Sequence, residues 1–273
     1  MTPQAALLSL REIGAGPGVV CVHANASSAS QWRPLMELLA PHYHVLAADS
    51  YGAGKGPPWP TNRVLTLADE VALLEPLFDR AGDPFVLVGH SYGAAVALMA
   101  AMQHPQRVRA LILYEPTLFS LIEAAAPQPN AADGIRAAVA AAAAALDAGD
   151  PAGAARAFID YWMGPGAWDA TPPGRQAPIA ASVVNVRGWA QALMTEPTPL
   201  ADLARLTMPV LLMVGGVSPA SSLGVADLLA GALPRVQRKS FEGLGHMGPV
   251  THPAVVNAAI AAFLDQGLAA MPG

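Results

Sequence analysis

Ser91 stands in the run Gly89-His90-Ser91-Tyr92-Gly93, a match to G-x-S-x-G. The residues before it, Phe85-Val86-Leu87-Val88, have the composition of a buried strand, and Ala94-Ala95-Val96-Ala97-Leu98-Met99 after it that of a buried helix. A serine in so tight a strand-to-helix turn is pushed out above the sheet, and the flanking glycines let the backbone turn without a Cβ clash. The start of the next helix also favours negative charge beside the hydroxyl. The plain alternative is a helix-capping serine. A hydroxyl is a weak nucleophile at neutral pH, so acyl transfer is open to Ser91 only if a base takes its proton.

His246 is the candidate base. It lies in Glu242-Gly243-Leu244-Gly245-His246-Met247-Gly248, a glycine-rich loop between the last predicted strand and the last predicted helix. Such a loop can bring an imidazole to the sheet edge that displays Ser91. His42 and His44 flank a strand start, His104 ends a helix beside Pro105, and His252 precedes Pro253 at a helix start, all positions that suit a structural role. His90 belongs to the turn but points away from Ser91 by backbone alternation, so it is expected to pack. An oxyanion needs two fixed donors. The backbone N–H of Tyr92 is one candidate, and Asn25, in Val22-His23-Ala24-Asn25-Ala26-Ser27-Ser28, is the other, although Asn25 also suits a turn.

These residues must be positioned by a recurring pattern of short apolar runs and longer helical segments, the signature of a mainly parallel sheet with helices on its faces. Strands are predicted over residues 19–22, 43–47, 85–88, 108–114, 210–214 and 235–241, with a further edge strand over 7–12. Helices are predicted over 30–39, 67–80, 91–103, 222–233 and 253–266. Residues 117–206 break the alternation and are too long for a plain connection. They are rich in Ala, Pro and Trp, with helices predicted over 134–148, 153–163 and 179–195, so a helical lid is expected there, flanked by a core of residues 1–116 and 207–273. Trp162, Trp168, Trp189, Met163 and Met194 give this lid an apolar surface for a pocket or for its own core. Trp162, Trp189 and Met163, with Met247 from the histidine loop, are the substrate-binding candidates.

Composition narrows the partners. The chain has 53% hydrophobic and 13% charged residues and a net charge of −5, with no basic stripe, so a nucleic-acid partner is not expected. The longest apolar stretch, residues 137–146, is about half of the ~20 residues that a membrane span requires. The N-terminal residues lack the features of a secretory signal, which makes the cytoplasm the default expectation. The single cysteine, Cys21, reads as a small buried hydrophobe.

Taken together, the strand-His23-x-Asn25 loop, Asp49-Ser50-Tyr51-Gly52-Ala53-Gly54, Gly89-His90-Ser91-Tyr92-Gly93, Tyr114-Glu115-Pro116, Gly215-Gly216 and Gly245-His246-Met247 make the chain resemble the α/β-hydrolase superfamily over nearly its whole length. The resemblance implies an α/β-hydrolase fold, with a central sheet of the eight-stranded type, an active site beneath an inserted helical lid, and no metal or organic cofactor. The chain departs from the pattern at Ala24, where these proteins commonly have Gly, and at the triad acid. Most relatives place that acid in the loop after the strand that follows the lid, which here reads Gly215-Gly216-Val217-Ser218-Pro219-Ala220-Ser221-Ser222 without a carboxylate. Glu115 is the candidate replacement. It ends a predicted strand at the same sheet edge as Ser91, is expected to be extended because it precedes Pro116, and preserves the order nucleophile, acid, base. Asp49 is expected to brace its loop, and Asp202 and Asp227 to be solvated.

The expected activity is cleavage of a carboxylic ester or lactone of a small apolar substrate through an acyl-enzyme on Ser91. Epoxide hydrolases and dehalogenases of the fold use an aspartate nucleophile, which Ser91 is not. Two alternatives remain: a cofactor-free dioxygenase of the same fold, suggested by Glu115, and a non-catalytic ligand-binding protein, suggested by the empty acid loop. A homodimer is left open.

Overall fold

A computed structural model describes residues 9–269. The chain runs β1 (Leu10–Ile13), β2 (Gly18–Val22), a 3-10 turn (Ala29–Trp32), α1 (Arg33–Leu39), β3 (His44–Ala48), α2 (Leu67–Ala81), β4 (Phe85–His90), α3 (Tyr92–Gln103) and β5 (Val108–Tyr114). Seven helices follow: α4 (Ser120–Ala125), α5 (Asp133–Asp147), α6 (Pro151–Met163), α7 (Ala167–Ala170), α8 (Pro173–Val183), α9 (Val186–Met194) and α10 (Leu200–Leu203). The chain then returns to the sheet with β6 (Val210–Gly215), α11 (Ala220–Ala232), β7 (Val236–Phe241), α12 (Gly248–Thr251) and α13 (Pro253–Ala269).

The strand order is β1-β3-β2-β4-β5-β6-β7, parallel except for β1, which pairs antiparallel with β3. Seven strands are present among the described residues, where the resemblance implies eight. Strands covered on both faces cannot alternate polar with apolar residues, and β2 (GVVCV) and β4 (FVLVGH) are buried at every position. Their side chains still alternate between faces. Val20 and Val22 join the core under α2, α3 and α11, while Val19 and Cys21 join the core under α1 and α13. The edge strand β7 instead exposes Gln237, Arg238, Lys239 and Ser240, and such charges discourage pairing with another chain.

One helical expectation changes. The helix predicted over 179–195 is two helices, α8 and α9, separated at Val184 and Asn185. The strand expected over 7–12 is β1; residues 7 and 8 lie outside the described range. Succession in sequence passes from β2 outward to β3 and then back across β2 to β4, so the connections diverge at the C-terminal ends of β2 and β4. In an open parallel sheet that divergence leaves a crevice where ligands bind. The loops after β2, β4, β5 and β7 carry Asn25, Ser91, Glu115 and His246 respectively.

Candidate active site

Ser91 takes φ 57° and ψ −118°, a strained backbone for a residue with a Cβ. Its N–H donates to Tyr114 O at 2.9 Å, so the β4–β5 ladder fixes the position of the turn. A side chain at Gly93 would meet Val22 O at 2.3 Å, which is why only glycine fits there. The turn thus lifts the Ser91 hydroxyl off the sheet.

Glu115 departs from the expected extended backbone: its φ is 46°. Pro116 closes the right-handed helical region to it, and the left-handed conformation aims its carboxylate sideways along the strand ends. Its N–H donates to Met213 O at 3.0 Å. The carboxylate itself is fully held. Oε1 accepts from the Gly215 N–H at 2.6 Å and from Ser218 Oγ at 2.5 Å, and Oε2 accepts from His246 Nδ1 at 2.6 Å. Burial pushes the Glu115 carboxyl up, but the hydrogen bond and charge of His246, with Ser218 and the Gly215 N–H, outweigh it and leave it below the usual carboxylate range. A buried, ionised carboxylate next to the imidazole results. The loop that lacks a carboxylate therefore supplies donors to one.

His246 is almost fully buried, and its Nε2 accepts from Ser91 Oγ at 2.9 Å. The loop that carries it is tied down twice, by Tyr114 Oη donating to Gly245 O and by His90 Nε2 donating to His246 O, both at 2.8 Å. Gly248 is required there, because a Cβ would lie 2.2 Å from Tyr114 Oη. His90, expected only to pack, thus holds the histidine loop. Its Nδ1 accepts from Gln31 Nε2 at 3.0 Å, and Gln31 Oε1 accepts from the Ala24 N–H at 3.3 Å. These partners fix the tautomer. Burial and the neighbouring His246 hold His90 well below the ordinary imidazole range, so it stays neutral. Sequence reasoning missed Gln31, since nothing in its local pattern marks a residue that bridges two loops.

Trp162 of α6 stacks on the His246 ring with centroids 3.9 Å apart and planes at 24°. On the other side of the site, His23 Nδ1 donates to Ala24 O at 2.7 Å, and its Nε2 accepts from the Ser50 N–H at 3.0 Å, shaping the loop that contains Asn25. Neither the Asn25 nor the Tyr92 N–H has an acceptor among the described residues; that of Tyr92 opens a helix, where no intrahelical acceptor exists. Asp49 braces its loop as expected, accepting from the N–H groups of Ala29 and Lys55.

A cavity of about 460 Å³ opens on Ser91 and His246, a volume typical of small-molecule sites. Asn25, Trp162, Trp189, Met163, Met194 and Met247 all reach its wall. Trp168 does not; it is buried within the helical layer and stands apart from the cavity lining. Thr117 does line the cavity, and its buried hydroxyl has no partner. Among the described residues no cluster of His, Cys, Asp and Glu is placed to hold a metal ion, and no helix is long and apolar enough to cross a membrane.

This arrangement can be set beside known proteins. Residues 17–253 match a family model described as the alpha/beta hydrolase fold. Lipase LipV of Mycobacterium tuberculosis is 34% identical over 268 residues, covering 90% of this chain and 92% of its own. An α/β hydrolase structure from Sphaerobacter thermophilus aligns with a TM-score of 0.66 and 26% identity, covering 91% of this chain and 95% of that one. A thermophilic esterase structure from Thermogutta terrifontis aligns with a TM-score of 0.71 and 24% identity over 95% of this chain and 93% of that one, a likeness of fold. With a family match across most of its length and a relative covered almost end to end, the chain belongs to the α/β-hydrolase fold family of hydrolytic enzymes.

Proposed function

We propose that the protein is a serine esterase that cleaves a carboxylic ester or lactone of a small, largely apolar substrate through an acyl-enzyme on Ser91. One observation carries this reading: an unbroken hydrogen-bonded line from Glu115 through His246 to Ser91 ends at the floor of an apolar cavity. LipV, covered almost end to end, is named a lipase, and the T. terrifontis neighbour an esterase.

In this reading His246 Nε2 takes the Ser91 proton as Oγ attacks the carbonyl carbon. The resulting oxyanion receives hydrogen bonds from the Tyr92 and Asn25 N–H groups. Glu115, ionised and bonded to Nδ1, keeps the imidazole in the tautomer whose Nε2 can accept, and stabilises the imidazolium that forms. His246 then gives its proton to the departing alkoxide, takes one from a water whose oxygen attacks the acyl carbon, and returns that proton to Ser91 Oγ as the acid leaves. Because Glu115 fills the role left empty by the loop after β6, the motive for a non-catalytic binding protein falls away.

An ester and lactone panel run on wild type, Ser91→Ala and Glu115→Gln tests the proposal. Hydrolysis is expected in wild type and loss of it in Ser91→Ala. Wild-type rates in Ser91→Ala would refute the acyl-enzyme, and oxygen uptake with a heteroaromatic substrate in place of hydrolysis would point to the dioxygenase reading.

A further inference from the structure

The charges around the cavity are arranged asymmetrically. No Asp or Glu lines it, and Arg175 of α8 is its one Arg or Lys. Arg175, with Ala26, Ser27, Ile179 and Val250, also lines a second groove of about 670 Å³, and there Arg33, the first residue of α1, joins it. That groove too is free of acidic side chains.

The two arginines are unusual within this chain. Of its thirteen arginines, eight form ion pairs with carboxylates. Arg235 donates to the Thr207 carbonyl, and Arg109 also has an interaction partner. Only Arg11, Arg33 and Arg175 have neither a hydrogen bond nor an ion pair among the described residues, and two of these three line the same groove. A third feature of that groove points the same way. Ser182, two helical turns along α8 from Arg175, is more than nine-tenths buried, and its hydroxyl has no partner. A buried hydroxyl without a partner is costly unless a ligand or water completes it.

We propose that this groove binds an anionic group, a carboxylate or a phosphate, carried at the far end of the ester substrate, with Arg33 and Arg175 as its receptors. The anion site rests on the esterase reading and defines its substrate class. The carbonyl sits at Ser91, an apolar chain crosses the cavity along Trp189 and Ile179, and the anion emerges between helix α1 of the sheet layer and helix α8. A guanidinium on each side suits this role, because its planar fork meets carboxylate or phosphate oxygens two at a time. Neither arginine has to abandon an internal carboxylate to do so.

The test compares methyl esters of straight-chain acids in three forms matched in length: neutral, ω-carboxylate and ω-phosphate. For wild type, kcat/KM for at least one anionic series exceeds that for the neutral series by about tenfold or more. In Arg33→Gln/Arg175→Gln that ratio falls toward one, chiefly through KM, and added salt lowers it in wild type. Which anionic series shows the preference identifies the source of the charge. Calorimetry on Ser91→Ala with the corresponding dicarboxylates, ω-phosphorylated acids and neutral amides reads the groove without turnover. Ser91-dependent hydrolysis with equal ratios in wild type and the double variant overturns the anion site and leaves the esterase standing. Arginine-dependent binding without any Ser91-dependent hydrolysis does the reverse.

Discussion

The two oxygens of Glu115 divide the work between them. Oε2 meets the imidazole, and Oε1 is occupied by Ser218 and the Gly215 N–H. Replacing the acid by its amide keeps the shape but removes the charge and places a donor where an acceptor is needed. Glu115→Gln is therefore expected to lower kcat by about 10³- to 10⁴-fold with the fold retained; circular dichroism and ester kinetics together check this, and near-normal turnover would remove Glu115 from the mechanism. The serine, the histidine and this carboxylate were legible in the sequence, because each sits where a strand must end and a turn must begin. The conformation of Glu115 was not. A residue before proline is read as extended, whereas three donors at fixed positions hold this one in the left-handed region. Nor could local pattern reveal what His90 does, since its partners Gln31 and His246 are 59 and 156 residues away.

The elements of the sheet were readable for a simple reason: buried parallel strands such as β2 and β4 are short, continuous apolar runs rich in valine. The helical layer between β5 and β6 was less so. In an Ala-rich sequence many helix boundaries fit equally well, and the break between α8 and α9 at Val184 and Asn185 carries no glycine or proline to announce it. Helix α6 bears most directly on the site. Trp162 stacks on His246, packs against Phe119, Phe158 and Tyr161, and Tyr161 Oη bonds to Ser221 Oγ of α11 at 2.7 Å. An indole face over an imidazole favours its protonated form, so in the proposed mechanism the contact would stabilise the imidazolium by about 0.5–2 kcal/mol. Trp162→Leu should then lower kcat by roughly 3- to 30-fold, and Trp162→Phe by less. Equal kcat in Trp162→Leu and wild type, measured at saturating ester, would reduce the contact to simple packing.

At the scale of the whole molecule, one buried carboxyl outside the line of Ser91, His246 and Glu115 is expected to set a dependence of stability on pH. Glu70 of α2 lies 3.3 Å from Tyr92 Oη and 3.4 Å from the Tyr51 nitrogen, and burial pushes its pKa up to about 8 from an ordinary value of 4.5. Between those values the unfolded chain has released the proton and the folded chain still holds it. Stability therefore falls as pH rises across that window, by about 1.4 kcal/mol for each pH unit in the limit of a single site. Glu70→Gln mimics the neutral form and should flatten urea-unfolding free energies between about pH 5 and 8; an unchanged slope would show that Glu70 does not hold its proton. The same fold that buries Glu70 against Tyr51 and Tyr92 brings Ser91, His246 and Glu115 together from three distant segments. Intact-protein mass spectrometry after rapid quench with a p-nitrophenyl ester tests that convergence most directly. The expected result is a mass increase of one acyl group, mapped to Ser91 and absent from Ser91→Ala. Steady ester turnover with no acyl group on Ser91 at any quench time would contradict it.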